Sequence, residues 1–461
     1  MQLRPNIPNH RGPAIPKRVV SSGCCSTKDI SGGVMPWLAV VAVVLIATTG
    51  LSACSGSPRS QVAISRPRNE VSTKPRPPFT HGSFTKSAPL QVSKWHVVSS
   101  PVPPGATENV TNTTISSELE SVTCPSSSFC VAVGYTSHGS QGLIETYDGL
   151  TWSVNASSSI SLGNGDFAGN LSLVSCPTVR FCAAVERYGG EIIWNGSVWS
   201  AVSYPPASYG KTWQPQALSC GNSRSCMAVG SVDDGPAPAN CEPGFCHPSS
   251  VAVAQAWNGS SWSNVVVSLP SGTTGSELYD VQCFADSSCL AVGQGGGNAR
   301  GFFLKWNGLS WSPLTSSPNV MFTLSCESTF SCIATGIPGS VDEGTPRITL
   351  SETWNGSAWS TDSVVPTPGG PNKGFLGGLL SVSCADSCVA IGSTTALGTS
   401  GVSEAFMDGW NGVSWSPIPL PKSVADSTLN CVSCTAHFCI AVGSSAAGAT
   451  LIIKGPPPPA A

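Results

Sequence analysis

Seven times along this chain two cysteines flank a short gap, and a short apolar run follows the second. "SVTCPSSSFCVAVG", from Ser121 to Gly134, returns two hundred residues later as "TLSCESTFSCIATG", from Thr323 to Gly336. The pairs are Cys124/Cys130, Cys176/Cys182, Cys220/Cys226, Cys283/Cys289, Cys326/Cys332, Cys384/Cys388 and Cys434/Cys439. Successive copies lie 43 to 63 residues apart, a period that belongs to propellers or solenoids. The residue two before the first Cys is always apolar (Val122, Val174, Leu218, Val281, Leu324, Val382, Val432), and the one just before it is always polar. That alternation predicts a strand with one packed face. The run after the second Cys, such as 131–134 or 290–293, predicts a second strand. The gap becomes a tight hairpin closed by a disulfide, which stabilises the fold by about 2 kcal/mol for so short a loop.

A second hairpin follows each of the first six pairs. It reads "YDGLTWS" from Tyr147, then "WNGSVWS" from Trp194, "WNGSSWS" from Trp257, "WNGLSWS" from Trp306, "WNGSAWS" from Trp354 and "WNGVSWS" from Trp410. Asn-Gly and Asp-Gly predict a two-residue turn with both residues at positive φ. Four antiparallel strands, seven times over, predict an all-β chain folded as a seven-bladed β-propeller. The seventh copy offers "ATLIIKG" as a third strand and then no Trp. "SKWHVVSSPVPPG" around Trp95 matches "SSWSNVVVSLPSG" around Trp262, so an N-terminal strand is expected to complete the last blade. Such closure leaves no open sheet edge. The propeller is expected over 92–455, followed by a Pro-rich tail, 456–461.

The "DGLTW" element resembles the Asp-box hairpin, Ser-x-Asp-x-Gly-x-Thr-Trp, of sialidase-like propellers. It is one residue shorter here, and Asn replaces Asp in five copies. In that family the box is structural, so the resemblance implies blade architecture only. The pattern over 90–455 also resembles secreted propeller lipoproteins of actinobacteria, a likeness that brings no active site with it.

Twenty cysteines call for an oxidising compartment or for metal. Zinc favours two to four residues between paired thiolates. Five intervening residues and six His in the whole chain favour disulfides instead, and no metal or cofactor is expected. Cys241 and Cys246, in an insertion of the third copy, are expected to pair with each other, leaving Cys431 as a buried free thiol.

"MPWLAVVAVVLIATTGLSAC" carries an apolar stretch, 37–46, of the length of a signal h-region, ending in Leu51-Ser52-Ala53-Cys54. That ending resembles the bacterial lipobox, which implies a signal peptide (1–54) removed up to a lipidated Cys54. The alternative is an uncleaved anchor. A Ser/Pro/basic stretch, 55–91, then reads as a flexible, disordered tether. These features imply a protein held on the outer face of the cytoplasmic membrane, or secreted, and monomeric. Residues 1–94 carry 12 Lys/Arg against 2 Asp/Glu, whereas 95–461 carry 10 against 23. So acidic a body excludes nucleic acid as a partner.

Chemistry is sparse. A sialidase-like site needs three arginines, a tyrosine nucleophile and an acid, and nothing places the five propeller arginines together. The best local cluster is Arg187-Tyr188 beside Glu186, where other copies have Gly, and a solvated strand end is the favoured reading of it. Asp233-Asp234 before Gly235 offers oxygens but no full Ca²⁺ loop. "SYPPASYGKTWQP" holds Tyr204, Tyr209 and Trp213, and Trp213 stands outside the repeat. These aromatics are either anchors for a ligand, carbohydrate or protein, or they pack beneath their own loop. The uniform hairpins share one face of the ring and the length-variable connections share the other, where binding is expected. A non-catalytic binding or scaffold module is the first reading; an extracytoplasmic sialidase-like hydrolase is the alternative.

Overall fold

The structure, a computed structural model, describes residues 95–101, 117–136, 141–156, 169–187, 189–202, 205, 213–234, 249–273, 275–295, 300–338, 348–360, 363–366, 375–396, 403–424 and 426–459. The lipobox, the tether, Cys241 and Cys246 lie outside them. Among the described residues 28 strands form seven four-stranded antiparallel sheets. Blade 1 is β2 (Ser117–Ser126), β3 (Phe129–Thr136), β4 (Gln141–Tyr147) and β5 (Trp152–Ala156). Blade 2 is β6 (Leu171–Thr178), β7 (Phe181–Glu186), β8 (Glu191–Trp194) and β9 (Trp199–Val202). Blade 3 is β10 (Trp213–Asn222), β11 (Ser225–Asp234), β12 (Ser249–Trp257) and β13 (Trp262–Val265). Blade 4 is β14 (Ser276–Cys283), β15 (Cys289–Gly295), β16 (Arg300–Trp306) and β17 (Trp311–Ser317). Blade 5 is β18 (Asn319–Ser328), β19 (Ser331–Pro338), β20 (Thr349–Trp354) and β21 (Ser363–Val365). Blade 6 is β22 (Phe375–Ala385), β23 (Ser387–Ala396), β24 (Ser403–Trp410) and β25 (Trp415–Pro417).

Blade 7 takes its strands from both ends of the repeat region. β26 (Thr428–Cys434), β27 (Cys439–Ser444) and β28 (Thr450–Gly455) are joined by β1 (His96–Val98), with His96 opposite Lys454 and Val98 opposite Ile452. Trp95 is buried, and a side chain at Gly455 would collide with its indole. One Trp over a Gly thus replaces the paired aromatics of the other blades. The innermost strands contact their neighbours in sequence, and β26 packs on β2, so the ring is closed.

All seven hairpin disulfides form: Cys124–Cys130, Cys176–Cys182, Cys220–Cys226, Cys283–Cys289, Cys326–Cys332, Cys384–Cys388 and Cys434–Cys439, with Cα atoms 3.9–4.1 Å apart. They sit in the core or at its margin, with Cys326, Cys384 and Cys434 only partly buried. The second cysteine of every pair is buried: Cys130, Cys182, Cys226, Cys289, Cys332, Cys388 and Cys439. In the ladder with the third strand, six of these stand opposite the aromatic that opens the next hairpin. Cys130 faces Tyr147, Cys182 faces Trp194, Cys226 faces Trp257, Cys289 faces Trp306, Cys332 faces Trp354 and Cys388 faces Trp410. In blade 7 Cys439 faces Gly455, the residue that Trp95 covers. Disulfide and aromatic hairpin are therefore one packed unit in each blade.

The polar residue before each first Cys has a separate task. Its side chain accepts the backbone N–H of the next blade's first Cys. Thr123 serves Cys176 (3.4 Å), Ser175 serves Cys220 (2.9 Å) and Ser219 serves Cys283 (2.9 Å). Ser325 serves Cys384 (3.0 Å), Ser383 serves Cys434 (2.9 Å), and Ser433 serves Cys124 (3.0 Å) across the closure. At blade 4 Gln282 stands in that place, and Asp280 ties the seam instead by accepting Leu324 N–H at 2.7 Å. The Cys staples a blade to itself, and its polar neighbour ties that blade to the next.

Two expectations need correction. The aromatics five apart bracket a four-residue loop whose two-residue tip is Gly and the residue after it, not Asn-Gly: Asn195 N–H donates to the Val198 carbonyl at 3.3 Å. Only the Gly has positive φ, for example Gly196 at 95°. The Asn before it caps the loop with its side chain: Asn195 Oδ1 accepts the N–H groups of Ser197 and Val198, both at 3.0 Å. Asp148 does the same for Leu150 and Thr151, bonds that lower its pKa. A side-chain acceptor is the requirement, which is why Asp and Asn interchange. The second correction concerns Cys431, which is disulfide-bonded rather than free. The other described cysteines all pair among themselves, so its partner lies outside the described residues.

Candidate functional site

In every blade the innermost strand carries one residue more than its partner strand. The register slips between Leu119 and Ser121, Leu171 and Leu173, Pro215 and Ala217, Leu278 and Asp280, Met321 and Thr323, Leu379 and Ser381, and Leu429 and Cys431. The extra residues are Glu120, Ser172, Gln216, Tyr279, Phe322, Leu380 and Asn430. A bulge re-aims a side chain and bends its strand. The Gly ending the second strand sits against this bend; a Cβ at Gly134 would collide with the Glu118 carbonyl oxygen. Because the seven bulges share one level in the strands around the axis, they form one ring. It lies at the end of the inner strands away from the Cys hairpins, on the face of the variable connections.

The ring has two arcs. Asn430, Glu120, Ser172 and Gln216 make a polar arc over blades 7, 1, 2 and 3. Tyr279, Phe322 and Leu380 make an apolar arc over blades 4, 5 and 6. All seven residues are buried. The rings of Tyr279 and Phe322 meet edge-on, with centroids 5.1 Å apart, and Tyr279 Oη donates to Glu277 Oε2 at 3.0 Å. In the polar arc Glu118 accepts Tyr135 Oη (2.7 Å) and Asn430 Nδ2 (2.7 Å), and the Asn430 amide also donates to the Leu119 carbonyl (2.9 Å). Glu120 is 4% exposed, and its pKa stands well above the carboxylate range. Burial is the main cause and the charge of Glu118 adds to it, while Arg187 opposes. Burial, then Glu118, holds the proton on Tyr135. Four buried oxygens in this region have no hydrogen-bond partner: Glu120 Oε2, Gln216 Oε1, Asn430 Oδ1 and Asn170 Oδ1. Native proteins leave few such groups, and each one needs a reason.

Of the residues expected from sequence, Arg187 acts on both Glu120 and Tyr135 and so belongs to this region. Asp233 is half-buried and accepts Gln214 Nε2 at 3.3 Å near the same face of blade 3. Tyr188, Tyr204, Tyr209 and the side chain of Asp234 lie outside the described residues. Trp213 is 3% exposed and packs with Leu173, Val185, Ile193, Leu218 and Val232 at the seam of blades 2 and 3. Its role is packing, although no repeat position demanded it. Sequence reading missed Glu118, Glu120, Tyr135, Gln216 and Asn430. Their signal was present. Each bulge residue stands four before its first Cys, between apolar residues five before and two before, a spacing of three inside a two-residue alternation.

A concavity of about 550 Å³ opens between blades 4 and 5 beside Leu314, Phe303 and Trp359. There the aromatic faces are already used: Phe303 and Trp359 stack with centroids 3.9 Å apart. Glu352 Oε1 is held by Ser317 (2.7 Å) and Asn319 (3.0 Å). Among the described residues no three His, Cys, Asp or Glu side chains form a metal-binding group, and no helix is long and apolar enough to cross a membrane.

These features define the chain as a disulfide-stapled seven-bladed β-propeller. No protein-family model matches it, and no curated protein matches it. Among solved structures it is similar to YCF48 bound to D1 peptide (12% identity, 79% of this chain and 96% of that one, TM-score 0.46). It is similar to the WD40 repeats of RRP9 (11%, 80% and 98%, TM-score 0.48) and to an ancestral GH74 enzyme (14%, 75% and 46%, TM-score 0.41). Identities this low concern the fold alone.

Proposed function

We propose that this chain is an extracytoplasmic binding module that takes a surface ligand at the ring of bulge residues, on the face of the variable connections. The observation that carries the reading is the set of buried, unpartnered oxygens at the bulge residues of blades 7, 1 and 3: Asn430 Oδ1, Glu120 Oε2 and Gln216 Oε1. Ligand sites combine mostly apolar walls with a few placed polar groups. The hairpin disulfides fit an oxidising compartment, and lipidation at Cys54 would hold the propeller outside the cytoplasmic membrane.

A hydrolase is the second reading, favoured by one contact, the Tyr135–Glu118 hydrogen bond beside Glu120, whose pKa burial raises. A nucleophile needs its proton loosened. Here burial and the neighbouring carboxylates hold it on Tyr135. Among the described residues Arg187 is the one arginine acting on this cluster, where a sialidase-like site needs three.

The test is a glycan and peptide array with a parallel fluorogenic-glycoside screen, run on the chain and on Gln216→Leu. Binding lost in the variant, without turnover, is the expected result. Turnover abolished by Tyr135→Phe would establish the hydrolase instead. Ligand binding indifferent to Gln216 would remove the ring from the account.

A further inference from the structure

The polar arc is unbalanced in charge and in hydrogen-bonding type. Glu118 and Glu120 stand together on β2. Among the described residues Arg187, just beyond β7, is the cation acting on Glu120, and Tyr135 of β3 is a neutral donor already given to Glu118. Asn430 and Gln216 come from β26 and β10 and carry no charge. Two acids therefore stand beside one guanidinium, and burial together with the charge of Glu118 makes ionisation of Glu120 costly. The unpartnered atoms are all oxygens of acid or amide groups, which accept. The Asn430 donors are already committed to Leu119 and Glu118. A sugar hydroxyl brings acceptors as well as donors, and its acceptors would find little here. A phosphate or carboxylate would meet like charge. A guanidinium or ammonium group has donors, no acceptor, and the missing positive charge.

From this placement we infer that the polar arc takes a basic side chain of a peptide, Arg or Lys. The inference deepens the binding reading above and rests on it. The acidic body of the chain would draw such a ligand in. The same chemistry has two sources. One is a basic segment of another protein. The other is residues 55–94 of this chain, which carry seven Lys/Arg and one Glu.

The experiment uses the full chain and blocked pentapeptides, Ala-Ala-Xaa-Ala-Ala, in which Xaa is Arg, Lys or the neutral isostere citrulline. Titration calorimetry in two buffers of different ionisation heat reports affinity and protons together. The Arg or Lys peptide is expected to bind at least about tenfold tighter than the citrulline peptide. Each binding event should release about one proton, from Glu120, and affinity should rise with pH. In Glu120→Gln the proton release disappears and affinity falls about tenfold. A full chain with its seven basic residues of 55–94 changed to Gln separates the sources. Tighter peptide binding there makes the tether the occupant; equal binding makes it another protein; both support the inference. Equal binding of citrulline, no binding of any peptide, or an unchanged proton count in Glu120→Gln overturns it. An array sugar whose binding is lost in Gln216→Leu would overturn the basic-ligand inference and leave the binding site standing. Indifference of every ligand to the ring would remove both.

Discussion

The two ends of the inner strands obey different rules. At the Cys end seven copies converge on one solution: a disulfide within the blade and, at six seams, a side-chain acceptor for the next blade's Cys N–H. Four residues earlier, at the bulge, seven copies give seven answers: Glu120, Ser172, Gln216, Tyr279, Phe322, Leu380, Asn430. The first end meets the same neighbour seven times, so the same chemistry serves each time. The second end is spared that constraint, because a bulge residue has no cross-strand partner to match. Uniformity marks what holds the ring together.

The largest effect that can break this comparison is at the closure. Deleting residues 95–101 removes β1 and uncovers the edge of β28, and cooperative melting should be lost, with aggregation. A truncated chain that melts like the intact one would sink closure by the N-terminal strand. Next comes Trp213→Ala, which empties a buried seam and should cost about 3–5 kcal/mol in denaturant unfolding. If stability held and ligand binding vanished, Trp213 would be an anchor after all.

A pH titration separates seam acids from ring acids. Glu191, Glu145 and Asp408, on the third strands, are raised by burial to about 9, 8 and 7. The native state therefore binds more protons than the unfolded chain. The stabilisation is full below the ordinary carboxylate pKa and drains away as pH rises towards about 9. The melting temperature should fall over that window. Glu191→Gln should flatten the slope without altering any pH dependence of binding; a slope unchanged by that substitution would place the charge cost elsewhere.

Ser433→Ala strips the buried Cys124 N–H of its acceptor at the seam of blades 7 and 1. A cost of about 1–3 kcal/mol is expected, and a neutral result would reduce these inter-blade bonds to geometry. The smallest effect belongs to the ring. Gln216→Leu removes an acceptor that has no partner, so stability should change by less than about 1 kcal/mol. A large loss would mean that Gln216 is structural and the two ends of the strand are alike.

Much of this was written in one dimension. Repeat period, alternation and Cys spacing specify four-stranded blades, their number, their staples and the split blade completed around Trp95. These are short-range matters: a strand needs its period, a hairpin its turn, a short disulfide loop its spacing. The Asn-Gly loop was legible as a turn but not in its type, because a side-chain cap is not encoded in a dipeptide preference. Trp213 looked spare in sequence because its partners, Leu173, Val185 and Ile193, belong to another copy. The same holds for the site. That Glu118, Tyr135, Arg187 and Asn430 meet follows only from the order in which blades close, with Asn430 more than 300 residues from Glu118. Sequence determined the blades because each blade's partners are close along the chain. The ring was decided by tertiary structure, because burial, unmet hydrogen bonds and the raised pKa of Glu120 arise only when seven inner strands share one axis.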